Sequence, residues 1–471
     1  MHFKTIFKSF KNKDMLKRIL IVLGIVVIYR FLAHVPVPLG DSATFKEAVE
    51  NLLAKSDFSS FLNLVSGGGL TSLSIILVGL SPFITASIVV QLITKVIPKL
   101  EELSQDGEAG RRKINQWTRI LTVPLAIVQS ITYIFILRES AMANTAGAIE
   151  LNASQWILAV VAMTAGSILL MWLGELISEQ GIGNGISMVI FASIISQFPN
   201  TFASLWASLF DTSGGSLSLF GWLNLPVNPT VFWIVLGFIA ALVVVVYLLV
   251  KLNEAQRIIT INYAKRVHGN SSYGGIKSIL PIKLIAAGVV PVIFATSFLA
   301  LPALIGQLIL AINPGNEFAT GMINMFTAPS AANFSTMYPN GITAQWFLYP
   351  AMYFILVVAF TYFYTSIIFN TNEIADNLQK QGGFIEGVRP GQTTAVYLSK
   401  VVNRLNLLGS LALGLIAMLP FLTDYIFILT LGYPIGLSIS GTGLLIVVTV
   451  ALESLRQLDS RALMITYDDY K

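Results

Sequence analysis

Ten runs of about 20 residues, nearly free of charge, organise the chain: roughly 19–38, 76–97, 118–138, 154–176, 185–205, 230–252, 284–311, 345–369, 406–423 and 433–455. Each is long enough to cross a hydrocarbon core of about 30 Å at 1.5 Å per residue. In hydrocarbon a backbone must satisfy its own hydrogen bonds, so the spans can only be helices. The fold class is an all-α polytopic membrane protein. Only 11% of the 471 residues are charged, against about a quarter in soluble domains. The basic opening MHFKTIFKSFKNKDMLKR could mimic the start of a cleavable leader, but the run behind it has full span length and ends in AHVPVP without a small-x-small site. It reads as a retained first span.

The positions of the basic residues set the topology. With ten spans both termini share one side, and that side collects 25 of the 29 Lys and Arg, the opposite side only 3. The positive-inside bias therefore places both termini in the cytoplasm. A pI near 9.2 follows from this topology and is no sign of nucleic-acid binding. The parts become a tail at 1–18, an N-terminal half at 19–205, an outer segment at 206–229, a C-terminal half at 230–455 and a tail at 456–471. Five spans on each side of the midpoint suit two inverted halves, although no sequence repeat is visible. The outer segments 206–229 and 312–344 contain no Lys or Arg, while two long cytoplasmic segments, 253–283 and 370–405, are charged. Pro82 and Pro291 are expected to bend their helices by freeing the carbonyls of Val78 and Ala287.

Chemistry-bearing groups at membrane depth are few. Arg30, Lys95 and Glu175 lie near span ends, where snorkelling accounts for them. His2, His34 and His268 are scattered, and there is no cysteine, so no metal site, cofactor or nucleophile constellation is expected. The motif GIGNGIS at Gly181–Ser187 lacks the strand and lysine of a phosphate loop and reads as a tight turn with Asn184 as helix cap. What remains is uncharged polarity: Thr85, Ser87, Gln91, Gln129, Thr296 and Ser297. Helix packing explains such residues by default; a wet, neutral path for a chemically varied substrate is the alternative. A secondary transporter with broken helices remains a second reading, a membrane-embedded hydrolase a third.

One segment fits neither packing nor transport simply. FLNLVSGGGLTSLSIILVGLSPFITASIVVQLI, from Phe61 to Ile93, sets three glycines and several hydroxyl residues before a span. Together with EAGRRKINQWTR, MWLGELISEQGIGNGISMVIFASI, INYAKR, FNTNEIADNLQKQGGFIEGVRPGQTTAVYLSKVVNRL and GTGLLIVV, it resembles the SecY/Sec61-alpha family of protein-translocation channels, in matching order from about Lys17 to Leu455.

That resemblance implies a short re-entrant plug helix at about 61–74, including Phe61, Gly67, Gly68, Gly69, Leu70 and Ser74. It implies an apolar pore ring of Leu80, Ile84, Ile186, Ile190, Ile293 and Ile446. Leu80/Ile84 and Ile186/Ile190 are spaced i,i+4, one helix face each. A lateral gate between the second and seventh spans would involve Thr85, Ser87, Gln91, Gln129, Thr296, Ser297 and Leu301, with Thr85 facing Leu301. Arg257, Lys265, Arg266 and Arg389 would serve motor or ribosome docking. Leucine at 80 replaces a common isoleucine, and Glu254 stands where members often carry a basic residue. The implied protein is not an enzyme; it is a channel subunit of the bacterial plasma membrane. It would pass unfolded preproteins and bind signal sequences, with SecE-like and SecG-like subunits, the SecA motor ATPase, the ribosome and the lipid bilayer as partners.

Overall fold

A computed structural model describes residues 13–38, 72–144, 152–210, 217–219, 223–225, 229–263, 266–268, 271–273, 277–313, 315–327, 344–431 and 437–468. The helices are α1 (Lys13–Leu32), α2 (Ser81–Val96), α3 (Pro98–Gln105), α4 (Gly107–Asn144), α5 (Ala153–Gln180) and α6 (Gly185–Leu209), followed by α7 (Pro229–Glu254) and α8 (Val290–Ile312). Then come α9 (Glu317–Phe326), α10 (Leu348–Ile368), α11 (Thr371–Lys380), α12 (Gln392–Leu431) and α13 (Leu437–Asp468). Ten of these, α1, α2, α4 to α8, α10, α12 and α13, fall on the ten apolar runs. Among the described residues, six helices are long and apolar enough to span unaided, and α2 with α3 forms a further pair bent by 109°.

The strands break the all-helical expectation only outside the spans. Strands β1 (Leu217–Leu219) and β2 (Leu223–Leu225) pair as a short hairpin in the first outer segment. In the charged segment 253–283 lie β3 (Gln256–Tyr263), β4 (Arg266–His268), β5 (Ser271–Tyr273) and β6 (Lys277–Lys283). With β7 (Gly383–Ile385), β3 and β6 make an antiparallel sheet of order β6-β3-β7, while β4 pairs with β5.

The prolines correct one expectation. Pro82 occupies the first turn of α2 and Pro291 the second residue of α8. There the missing N–H is one the helix could not use, and the fixed φ suits helix entry. Neither bends its helix. Prolines well inside helices include Pro124, Pro199 and Pro302. The second span also starts later than its apolar run, because residues 72–80 form turns before α2 begins.

The chain divides into two compact units, whose boundaries fall inside α7, α8, α10 and α12. In the first (1–242, 296–350 and 420–471), α4 packs against α2 and α5, α5 against α1 and α6, and α6 against α13 and α1. Its core includes Leu73, Leu77, Val78, Tyr133, Ile134, Met163 and Leu304. The second unit (243–295 and 351–419) holds the three-stranded sheet on a core of Ile259, Ile282, Ile385, Leu398 and Val402. Helix α12 comes close to the Leu284 backbone, just beyond β6, at Gly409 and to the Phe354 ring of α10 at Gly414. A buried Thr365 hydroxyl donates to Asn406 Oδ1 at 3.1 Å, joining α10 to α12.

Candidate functional site

The approach to α2, residues 72–80, is irregular backbone that is largely buried. Ser74 bridges Pro36, Val37 N–H donates to Leu73 O at 2.7 Å, and Ile75 N–H donates to Val35 O at 2.9 Å. Two hydroxyls complete the arrangement: Ser72 Oγ donates to Ala33 O at 2.6 Å, and Ser167 Oγ to Gly79 O at 2.8 Å. Irregular backbone survives in a membrane protein where protein buries it, and here α5 provides the wall. Gly166 lets α5 come so close that a Cβ there would strike the Ile75 carbonyl. Leu73 takes a positive φ of 47°, a rare conformation for a branched side chain. Of the expected plug, Ser74 is therefore a pinned, fully buried residue in a turn. Phe61, Gly67, Gly68, Gly69 and Leu70 lie outside the described residues.

Most of the expected ring residues lie in the first turns of helices. Leu80 caps α2, and Ile84 N–H donates to its carbonyl at 3.0 Å. Ile186 and Ile190 occupy the first turns of α6, where Asn184 Oδ1 accepts from Ile186 N–H at 3.1 Å, as the cap reading required. Ile446 lies on α13, the helix that packs along α6. All but Ile186 are buried, Ile293 of the second unit included. None of these side chains offers a hydrogen bond, so the set is chemically inert.

The expected gate polars lie on α2, α4 and α8. Thr85 is buried, and Gln91 Nε2 donates to Ser87 Oγ at 2.8 Å within α2. The Oε1 atoms of Gln91 and Gln129 are buried without a hydrogen-bond partner among the described residues. Thr296, Ser297 and Leu301 lie partly buried on α8. The contact made by this part of α8 is apolar: Leu304, with Ala300 and Leu308 beside it, packs into the cluster of Leu73, Leu77, Val78 and Tyr133. Those residues escaped the sequence reading because an aliphatic side chain facing a neighbouring helix looks the same as one facing lipid.

Two presumed interfacial charges turn out to be paired. Arg119 Nε donates to Glu175 at 2.7 Å, linking α4 to α5, and Lys95 meets Glu101 at 2.9 Å across the α2–α3 bend. A crevice of about 420 Å³ behind that bend is lined by apolar side chains such as Ile93, Leu103, Trp117 and Leu121. The hydroxyl of Thr94, also in its wall, is spent on Val90 O at 2.7 Å. The crevice wall is therefore almost wholly apolar.

Arg257 lies on β3, and Arg389 follows β7, the strand that pairs with β3. The pairing runs through Ile261↔Ile385 and β7 ends there, so Arg389 belongs to the turn that follows the strand. Arg389 is exposed in a turn flanked by Gly387 (φ 79°) and Gly391 (φ 95°), and its carbonyl accepts from Thr394 Oγ1 at 2.9 Å. The positive φ values are why glycines frame it. Arg266 opens β4, and Lys265 lies outside the described residues. Among the described residues no group of three or more His, Cys, Asp or Glu is placed to hold a metal.

Comparison with known proteins bears on this geometry. Residues 74–455 match the SecY family model. The chain is 39% identical over 468 residues to the protein translocase subunit SecY of Streptomyces coelicolor, covering 98% of each. It is 39% identical over 472 residues to the SecY subunit of Corynebacterium glutamicum, again with 98% coverage of each. Among solved structures, it superposes on a protein-conducting channel with a TM-score of 0.63 at 19% identity, covering 93% of this chain and 90% of that one. The Sec61 of a canine ribosome–channel complex gives 0.59 at 18% identity, with the same coverage. At such identities these two structures speak for the fold.

Proposed function

This chain belongs to the SecY family, and from that premise we propose how it works as the pore-forming subunit of a protein-translocation channel. The observation that carries the reading is the pairing of an inert set of buried aliphatics with an irregular, protein-walled backbone at the mouth of α2. Aliphatic side chains that close a constriction expel water and bar ions, yet yield to any polypeptide because they bind none. Leu80, Ile84, Ile186, Ile190, Ile293 and Ile446 form that ring. The segment from Phe61 through Gly67, Gly68, Gly69 and Leu70 is a plug, tethered at Ser74 by the bridge to Pro36. The polar, charge-free path serves unfolded preproteins. A transporter would need a defined midplane site, and the spans supply no ionisable residue for one.

Sideways release of signal sequences and membrane spans takes place between α2 and α8. The seam there is apolar at Leu304, a contact that an apolar helix can replace at small cost, and Gln91 and Gln129 belong to it. Thr85, Ser87, Thr296, Ser297 and Leu301 border the same seam. With Thr85→Cys and Leu301→Cys in a chain that has no cysteine, oxidation blocks transport and reduction restores it. A disulfide that forms fully while transport continues unchanged would refute the gate.

Both termini face the cytoplasm of the bacterial plasma membrane, on the basic-residue count. The charged segments 253–283 and 370–405, through Arg257, Lys265, Arg266 and Arg389, dock the SecA motor ATPase or a ribosome. SecE-like and SecG-like subunits complete the assembly. The surface for such helices is ample: in the apolar window of α7 only 6% is buried by this chain. Energy comes from the motor or from peptide synthesis, so the subunit itself is no enzyme. Reconstitution with SecE and SecA tests the whole reading. ATP-dependent protease protection of a preprotein is expected; small-solute uptake without protection would replace the reading with a transporter.

A further inference from the structure

The turn Gly181–Gly185, read from sequence as a tight connection, has more built around it than a connection needs. Helix α5 ends at Gln180, where the last carbonyls have no partner within the helix. Gly181 takes the left-handed conformation, φ 68°, and its N–H returns to Ser178 O at 2.9 Å. Ser178 Oγ then accepts from Gly185 N–H at 2.9 Å and donates to Gly174 O at 3.1 Å, locking the start of α6 to the end of α5.

Two distant arginines meet at this point. The carbonyl of Gln180 accepts from Arg18 Nη1 at 3.1 Å and from Arg461 Nη1 at 3.3 Å. Arg18 lies on α1 and Arg461 on α13, near opposite ends of the chain. Neither guanidinium makes a salt bridge among the described residues, so both charges are committed to a helix C-terminus, where the macrodipole favours cations. Gly181 is part of the fit, since a Cβ there would be driven into the Arg461 guanidinium. Further along α13, Ser454 Oγ donates to Met188 Sδ at 3.2 Å, and Ile446 follows on the same helix.

We propose that Arg18 and Arg461 are positioning residues: their shared hold on Gln180 fixes the rotation and depth of α6, and so keeps Ile186 and Ile190 at the constriction. Hydrocarbon contacts are equivalent for every rotation of an apolar helix and set neither quantity. A rotation of one residue, about 100°, carries an i,i+4 pair off the pore axis. The clasp acts six residues before Ile186, on the side of α6 that carries the pair. Tyr29 reinforces it with a hydroxyl contact to Ser193 at 2.5 Å, from α1 to α6. This inference rests on the pore reading above.

The test measures ion leak of the assembled channel in planar bilayers. Arg461→Ala and Arg18→Ala are each expected to lose the resting seal while still transporting preprotein. Arg461→Lys, which retains a charged donor, keeps it. Should Arg461→Ala not accumulate, Arg461→Gln replaces it, with the same loss expected from its shorter reach. In the leaky background, Met188→Cys with Ser454→Cys gives the only thiols. Bridging them with a short reducible bifunctional reagent restores the seal, and reduction abolishes it again. A purely structural role would change yield or melting but not show this reversible rescue. Ile84→Ser with Ile190→Ser is the control. If the control leaks but the arginine variants stay tight, or leak without rescue, the clasp is wrong and the ring stands. If the control does not leak, the pore reading itself fails.

Discussion

Residues 72–80 and the β6-β3-β7 sheet are both departures from helix, held by opposite means. The first has almost no ladder. Its carbonyls and amides are met singly, by a bridge at Pro36, by the hydroxyls of Ser72 and Ser167, and by a helix brought close through Gly166. The sheet satisfies its backbone by strand pairing and rests on a core of its own. Without water an unmet peptide group has no fallback, so each one needs a named partner. Exposed groups at the sheet margin have solvent as an alternative. The difference predicts that a small change near residues 72–80 costs more than one of similar size at the sheet.

The largest effect is expected from Gly166→Val. Its branched side chain meets the Ile75 backbone, which cannot move without parting α5 from the approach to α2. Folded protein should fail to accumulate in membranes, measured by monodisperse recovery in mild detergent. Wild-type recovery would mean that the close approach is not needed.

Ile259→Ala removes a buried branched side chain from the sheet core, at a cost of about 2–5 kcal/mol. The damage should stay local. Limited proteolysis is expected to cut within 253–283 while the spans retain their helical circular dichroism. Global loss of helix would break the contrast between the regions.

A matched pair sharpens it. Ser167→Ala strands the Gly79 carbonyl among helices, at about 1–3 kcal/mol. Thr394→Val removes the bond to the Arg389 carbonyl, which belongs to an exposed turn residue that water can serve, so the net loss is about 0.5–1.5 kcal/mol. Thermal denaturation monitored by tryptophan fluorescence ranks the two, and the reverse order would sink the argument from water.

The smallest effect on stability is expected from Arg389→Glu, within about 0.5 kcal/mol, because the residue is exposed and framed by glycines. Its effect on motor-driven transport should nevertheless be large. Normal transport by this variant would leave Arg389 as topological charge alone.

Much of this molecule was legible in the sequence because a membrane reduces the choices. A run of 20 apolar residues has one backbone solution, and the ten runs therefore gave the spans, Asn184 its cap and GIGNGIS its turn. Where several partners compete, sequence was silent or misleading. Pro82 and Pro291 looked like mid-span kinks, but a proline bends a helix only if the helix has already begun, and where it begins is set by packing around residues 72–80. Leu304 facing Leu77 and Val78 carries no mark that separates it from a lipid-facing leucine. Arg18 and Arg461 share one carbonyl only because α1 and α13 both pack against α6. Local periodicity and charge determined which segments enter the membrane. Which residues meet across 100 or more positions depends on close packing between whole helices and strands, and that the tertiary structure alone decided.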